Sequence, residues 1–290
     1  MQSLIAKADV LIEALPYIQR FQNAIVVVKF GGSAMEDQRQ IDNIMLDVAF
    51  MTCVGMRPVV IHGGGKAISR AMQKSGLKPE FVKGLRVTDE ATMGVVERVL
   101  RDEVNANLVA TLARMGAPAR RVDGPSVFHV AGRTGRDEET GAELNWGYVG
   151  EVKEVDAAPV RDCLTARGIP VLTPIGRGVD GHLYNLNADD AAAAVAKALG
   201  AWKLAYLSDV PGLLRNRADE SSLMSTLHIK EVEELIRQGV VEGGMLPKIR
   251  SCVEALEAGV KKIHIIDGRL SHSLLLEIFT DKGVGTEIIA

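Results

Sequence analysis

From Ile25 onward the chain repeats one pattern that few folds accommodate. A short β-branched and apolar run is closed by a glycine turn and followed by a longer stretch of helical periodicity. Residues 25–30, 58–62, 169–174, 202–208 and 262–267 are too short and too uniformly apolar for amphipathic helices and suit strands buried on both faces. Helical periods fall at about 38–54, 66–75, 89–115, 156–167, 189–199, 229–238, 247–258 and 271–280. Gly55, Gly76, Gly116, Gly168, Gly200, Gly239 and Gly259 stand at expected stops. Strand and helix in alternation predict an α/β fold, with a mainly parallel sheet covered on both faces. Two stretches break the rhythm. Residues 131–156 are polar and glycine-rich and predict a hairpin excursion, and Gly176-Arg177-Gly178-Val179-Asp180-Gly181 suits a hinge between two lobes.

Composition sets the outer limits. At 290 residues, with 47% hydrophobic and 24% charged side chains, the chain can bury a sizeable core as one large domain or two lobes sharing it. A net charge of −3, with no basic stripe, excludes a nucleic-acid partner. Cys53, Cys163 and Cys252 form no Cys-x-x-Cys pair, and the six histidines show no zinc spacing, so no metal site is expected and a reducing compartment is. No apolar run reaches the roughly 20 residues of a membrane span. Asp9 and Glu13 interrupt the N-terminal apolar stretch where a signal peptide would be uniform, so the expected location is the cytosol. Within residues 1–22, Leu4, Ala8, Leu11, Leu15 and Ile18 form an amphipathic stripe that Pro16 should kink or interrupt. That stripe packs either on its own domain or on another subunit.

In an open parallel sheet, ligands collect at the carboxyl ends of the strands. Three of the expected strands end in informative turns: Lys29-Phe30-Gly31-Gly32-Ser33, His62-Gly63-Gly64-Gly65-Lys66 and Ser208-Asp209-Val210-Pro211-Gly212. Glycines there let backbone N–H groups approach an anion, or they make tight turns and nothing more. Gly63–Gly65 lacks the third glycine of Gly-x-Gly-x-x-Gly, and the chain has no P-loop, which disfavours dinucleotide and P-loop enzymes. Lys29 ends a buried apolar run, where its ammonium needs either a phosphate or a structural carboxylate. Lys248 follows the turn Gly243-Gly244-Met245-Leu246-Pro247, with Pro247 expected at a helix's first residue. Arg86 precedes a long helix with Thr88 as its expected N-cap. Its guanidinium suits capture of a ligand carboxylate or a clamp on the helix's acidic first turn. Asn185 and Asn187 offer amide donors to a small ligand, and Asp189 either caps the following helix or holds cations.

These blocks resemble something specific. Lys29-Phe30-Gly31-Gly32-Ser33-Ala34, His62-Gly63-Gly64-Gly65, Arg86-Val87-Thr88-Asp89, Asn185-Leu186-Asn187-Ala188-Asp189 and Gly243-Gly244-Met245-Leu246-Pro247-Lys248 occur in the order seen in N-acetylglutamate kinases of the amino acid kinase family. The resemblance runs from about Leu11 to Thr286. It implies a three-layer αβα sandwich with an N-terminal helix extension. Residues 1–22 would serve oligomerisation, 23–178 would form a lobe for acetylglutamate and dimerisation, and 179–290 a lobe for ATP and an arginine effector.

Carried over position by position, the resemblance implies that Lys29 and Lys248 stabilise the transferring phosphoryl group with the Gly32 and Gly64 N–H groups. Asp189 would orient both lysines. Gly64, Gly65, Arg86, Asn185 and Asn187 would hold N-acetyl-L-glutamate, and Gly31, Ser208, Asp209 and Gly212 would border ATP, whose Mg²⁺ the phosphates mainly hold. The acceptor carboxylate is already ionised at neutral pH, a free Glu side chain titrating at about 4.3, so no general base is needed. The apolar stripe is similar to that of arginine-inhibited, hexameric members. By that similarity Tyr17, His264, Glu277 and Gly285 would contact L-arginine, and interlaced helices would join dimers into a trimer of dimers. Lys66 and Asp190 depart from the family's usual pattern. A kinase for another carboxylate or for carbamate, and a non-catalytic amino-acid sensor, are the alternative readings.

Overall fold

The computed structural model describes residues 2–137, 140–280 and 283–290, apart from the side chains of residues 2–4, 6 and 7. Its centre is an eight-stranded sheet. From one edge to the other the strands are Thr226–His228, Thr286–Ile289, Lys262–Asp267, Lys203–Ser208, Ile25–Phe30, Arg57–His62, Ile169–Leu172 and Ala119–Val122. The six from Lys262–Asp267 onward are parallel, and Thr286–Ile289 joins them antiparallel. The five strands expected from sequence are all present. Ala119–Val122 escaped because Arg120 and Arg121 make an edge strand look polar, and Thr226–His228 because three residues carry no periodicity.

Alternation along the central strand sorts the core into two halves. Val26, Val28 and Phe30 face a cluster with Ile44, Val48, Leu108, Leu112 and Ile278, beneath the helices Gln38–Cys53, Ala106–Arg114 and Ser273–Phe279. Val27 faces the opposite cluster with Ala192, Val195, Ile249 and Cys252, beneath Ala188–Leu199 and Met245–Glu257. The result is the three-layer αβα sandwich. Lys29, two residues past Val27, shares its face. Ala191, Ala192 and Ala196 are fully buried, so the alanine-rich segment is a helix lying close on the sheet.

The excursion is a long hairpin, Phe128–Arg136 with Glu143–Val155, and it closes a small barrel with Ile175–Gly178 and Leu183–Asn185. The segment read as a hinge is the tight turn between those last two strands, Leu183 lying opposite Arg177. The expected helix 89–115 is three pieces: Glu90–Arg98, a π-helical segment Val99–Asn105 and Ala106–Arg114. Asp89, not Thr88, is its N-cap, accepting 2.8 Å from the Thr92 N–H. Thr88 is buried and donates to the Arg86 carbonyl. Pro247 is the third residue of its helix, which begins at Met245.

The N-terminal helix runs Gln2–Phe21 as one element that includes Pro16, so of the expected kink or interruption the interruption does not occur. Proline removes one backbone donor, and its i−4 residue, Ile12, is exposed, so water can satisfy that carbonyl. Phe21 is buried against Trp202, and Tyr17 meets Phe279 edge-on. Leu11, Ile12 and Leu15 stay exposed, whereas Leu4 lies outside the described side chains. Among the described residues no helix is long and apolar enough to cross a membrane.

Candidate functional site

The chain leaves the central strand toward Arg57–His62 on one side and later returns to Lys203–Ser208 on the other. This creates a crevice at the carboxyl edge of Ile25–Phe30. Register sets what meets there. Phe30 lies opposite His62 and Leu207, so the Gly31-Gly32, Gly63-Gly64 and Ser208-Asp209 turns leave the sheet side by side. The Gly63 N–H donates 2.7 Å to the Phe30 carbonyl. Gly32 has φ +80°, and a Cβ there would lie 2.3 Å from the Asp209 carboxylate, which accepts from the Ser33 N–H at 2.7 and 2.9 Å. Gly31 leaves room for Lys29, whose Nζ would be 2.7 Å from a Cβ. Glycine at position 32 answers a positive φ, whereas a Cβ at position 31 would displace the tip of the Lys29 side chain.

Asp189 is the meeting point of both lysines. Lys29 Nζ lies 2.9 Å from Oδ1 and Lys248 Nζ 2.6 Å from Oδ2. Asn187 leaves Asp189 free for this by capping the helix itself, its Oδ1 accepting from the Asp189 and Asp190 N–H groups at 2.7 and 3.3 Å. Burial pushes the Asp189 carboxyl up, yet the two ammonium groups outweigh it and hold the carboxyl well below the usual range. Tyr206, opposite Lys29 on the neighbouring strand, lies under Lys248, with its ring centroid 4.8 Å from Nζ and its hydroxyl donating to the Asp189 carbonyl. Nothing in an apolar strand singled out Tyr206.

Beside the glycine turns opens a cavity of about 700 Å³, lined by Gly32, Gly64, Gly65, Lys66, Arg70 and Arg86 among others. Arg86 is buried; its Nη2 donates to the Gly65 carbonyl at 2.9 Å and to Ser69 Oγ at 2.8 Å, and its guanidinium stacks on Phe81. The clamp on the acidic first turn is not formed. No carboxylate lies within ion-pair distance of Arg86 among the described residues, and burial lowers its pKa. Lys66 stands in the cavity wall. Lys29, Asp189, Lys248, Asn185, Asn187, Ser208, Asp209 and Gly212 are not among the lining residues. Asn185 is 3.5 Å from the Thr88 hydroxyl, and Gly212 packs against Thr286. Asp190 accepts from Ser251 and lies 3.6 Å from Arg133, so this departure joins two helices. Among the described residues no cluster of three His, Cys, Asp or Glu could hold a metal ion.

The four expected effector residues gather at the other end of the sheet. His264 and Glu277 are buried in contact, Nδ1 against Oε1, and Glu277 also accepts from the Val284 N–H at 2.8 Å. Glu277 therefore does not face water. Burial lowers the His264 pKa against the opposing pull of Glu277. Burial also raises that of Glu277, where the contact with His264 prevails and leaves it below its ordinary value. Gly285 sits on the Ile265 carbonyl, 2.2 Å from where a Cβ would be, and Tyr17 reaches this end through Phe279. Lys203 and Glu287, missed from sequence, complete the cluster. Burial brings Lys203 to about 8, opposed by Glu277 and Glu287. A lysine at one end of a buried strand is a signal akin to the one that marked Lys29, here at the strand's start instead of its close.

A profile of the amino acid kinase family matches residues 24–267. The chain is 47% identical over 294 residues to the acetylglutamate kinase of Heliobacterium modesticaldum, covering 100% of both chains. It is 44% identical over 287 residues to that of Methanothermobacter thermautotrophicus, covering 97% and 98%. Among solved structures, N-acetylglutamate synthase from Neisseria gonorrhoeae, complexed with coenzyme A and N-acetyl-glutamate, superposes with a TM-score of 0.84 at 30% identity. That match covers 98% of this chain, which spans 63% of the synthase. Carbamate kinase from Giardia, at 16% identity and a TM-score of 0.66, shares the fold. A match reaching from the approach to the central strand to the end of Lys262–Asp267, with relatives alike over their full length, means that this chain belongs to the amino acid kinase family.

Proposed function

We propose that the protein is a cytosolic acetylglutamate kinase, phosphorylating the side-chain carboxylate of N-acetyl-L-glutamate with ATP to give N-acetyl-L-glutamyl 5-phosphate and ADP in L-arginine biosynthesis. The observation that carries this reading is the pair of lysines held on opposite oxygens of Asp189 at the edge where two glycine turns emerge. An acceptor carboxylate oxygen attacks the γ-phosphorus; the new O–P bond forms as the bond to the β-phosphate oxygen breaks, and its electron pair leaves with ADP. No proton moves, so Asp189 acts as organiser and not as base. Two anions must approach, and fixed ammonium groups and N–H donors offset their repulsion.

In this reading Arg86 and the Gly64-Gly65 turn hold the acceptor in the 700 Å³ cavity, and Asn185 and Asn187, which do not line that cavity, supply amide donors to it from outside the wall. ATP enters as its Mg²⁺ complex, the metal held mainly by phosphate oxygens, along Gly31, Gly32, Ser208, Asp209 and Gly212. Residues 23–178 thus supply most of the acceptor site and residues 179–290 most of the nucleotide site, with Asn185 and Asn187 crossing to the acceptor and Gly31 and Gly32 to the nucleotide.

Feedback by L-arginine is supported by the cluster of buried Lys203, His264 and Glu277 with half-buried Glu287, at the end of the sheet that Tyr17 reaches through Phe279. The cluster offers acids to a guanidinium and a cation to a carboxylate. A hexamer, a trimer of dimers, is supported by the exposed Leu11, Ile12 and Leu15 on the N-terminal helix.

Hydroxylamine trapping of acyl phosphate tests the activity. Product with N-acetyl-L-glutamate, and not with glutamate or aspartate, is expected, with suppression by L-arginine. Product with another acceptor instead would make the chain a different kinase of this fold, and none with any acceptor a sensor. Sedimentation of a chain starting at Asn23 is expected to give dimers where the full chain gives hexamers.

A further inference from the structure

We propose that His62 and Asn105 are positioning residues for the transfer. A buried hydrogen-bond chain, from the Val171 carbonyl through the Asn105 amide and the His62 imidazole to the Gly63 carbonyl, aims the Gly64 N–H into the cleft. The inference rests on the kinase reading of that glycine turn.

Both side chains are fully buried. Asn105 Nδ2 lies 3.0 Å from the Val171 carbonyl oxygen and 3.1 Å from His62 Nε2, and His62 Nδ1 lies 3.0 Å from the Gly63 carbonyl oxygen. A carbonyl only accepts, so the Asn105 group facing Val171 is its NH₂, whose second hydrogen points at Nε2. Nε2 therefore carries the lone pair, and the ring proton sits on Nδ1, where it donates to Gly63. The opposite tautomer would set an N–H against the Asn105 NH₂ and a lone pair against the Gly63 oxygen. Burial lowers the imidazole to about 4, which keeps the ring neutral and the chain of donors one-directional.

The Gly63–Gly64 peptide is trans, so its N–H points away from its carbonyl. Tying that carbonyl to His62 directs the Gly64 N–H oppositely, and Gly64 lines the cavity. The Gly63 N–H is fixed too, on the Phe30 carbonyl at 2.7 Å. The π segment Val99–Asn105 supplies both supports. It packs Leu100 under Gly64, 2.4 Å from where a Cβ would be, and sends Asn105 to His62. One extra residue in a wide turn shifts the helix phase by about 100°. Asn105 Oδ1 is buried without a hydrogen-bond partner among the described residues. An uncompensated amide oxygen costs stability, and its retention fits a residue kept for its two donors.

Two variants separate the two ring nitrogens. His62→Asn places an amide near Nδ1 and keeps the donor to Gly63; His62→Gln places one near Nε2 and keeps only the Asn105 contact. The expected result is a kcat lowered about 30-fold in His62→Gln, with the acetylglutamate KM within about threefold, and His62→Asn rescued to within about fivefold of the parent. The second measurement is long-range ¹H–¹⁵N correlation of the full chain, with His62 assigned by its absence in His62→Asn. A proton on Nδ1, constant over about pH 6 to 8, is expected and needs no turnover. Acyl phosphate formation by the parent chain is the control for the kinase reading. With that intact, a proton on Nε2, an unchanged kcat in His62→Gln, or equal loss in both variants overturns the positioning role alone.

Discussion

Asp190 accepts a 2.6 Å hydrogen bond from the Ser251 hydroxyl, less than one helical turn beyond Lys248. The neighbouring Asp189 accepts one of the same length from Lys248 itself, so two consecutive carboxylates hold Ala188–Leu199 against Met245–Glu257 at two points. The ammonium of Lys248 is thereby placed by a pair of helices and not by its own flexible stem. Ser251→Ala and Asp190→Ala are each expected to lower kcat by about fivefold and to cost about 1 kcal/mol of stability. The double variant should do no worse than the more damaging single one. Activity and urea unfolding of the four chains provide the cycle, and full additivity would show the two groups acting independently.

Removing Lys248 tests the charge argument. Lys248→Ala is expected to lower turnover about 10²- to 10³-fold while acetylglutamate binding, measured by calorimetry, changes little, because in the proposed transfer the ammonium acts on charge that moves in the transition state. Unchanged turnover would remove the residue from the reaction. Asp189→Asn leaves two largely buried ammonium groups uncompensated and is expected to destabilise the protein by about 3 kcal/mol or more.

Gly65 opens the helix Gly65–Lys74 at the cavity wall, and a Cβ there meets nothing within 4 Å. Its glycine is dispensable for the fold, then, and any requirement for it comes from a ligand. Gly65→Ala is expected to keep the melting temperature while raising the KM for the acceptor about tenfold. A KM equal to the parent's would place the acceptor elsewhere.

Lys203 makes a prediction about alkaline pH. Burial brings its folded pKa to about 8, below its ordinary value near 10.5, so the folded state releases this proton first as the pH rises. Below about pH 8 the charged, buried lysine imposes its full penalty. Between about 8 and 10.5 the unfolded state binds more protons, and this group adds stability with a slope approaching 1.4 kcal/mol per pH unit. Urea midpoints at pH 7.5 and 9.5 should show this rising component in the parent chain and its loss in Lys203→Met. Equal pH dependence in the two chains would mean that Lys203 is not desolvated.

Much of the site was legible because local chemistry announces it. A lysine closing a run of buried residues, glycines after two strands and an arginine before a capped helix each violate what a plain core would use. Asp189 showed only that it could cap or hold cations. The choice was made by Asn187, whose carbonyl oxygen took the cap. The π segment gave no signal, since seven residues of VLRDEVN satisfy helical periodicity whichever backbone ladder they adopt. Tyr206 was hidden for a related reason: in a strand buried on both faces, an aromatic residue looks the same whether it fills space or supports a lysine.

The sequence by itself determined the strand and helix alternation, the parallel sheet and the residues able to carry charge to its edge. Periodicity and glycine punctuation act over a few residues, and they survive translation into one dimension. Tertiary structure decided which of those groups meet. Lys29 and Lys248 are 219 positions apart in the chain and share one carboxylate, because register places Lys29 on the face where two helices converge. His62, Asn105 and Val171 likewise meet only through packing, and no local pattern encodes a hydrogen bond between buried groups brought together by three different elements.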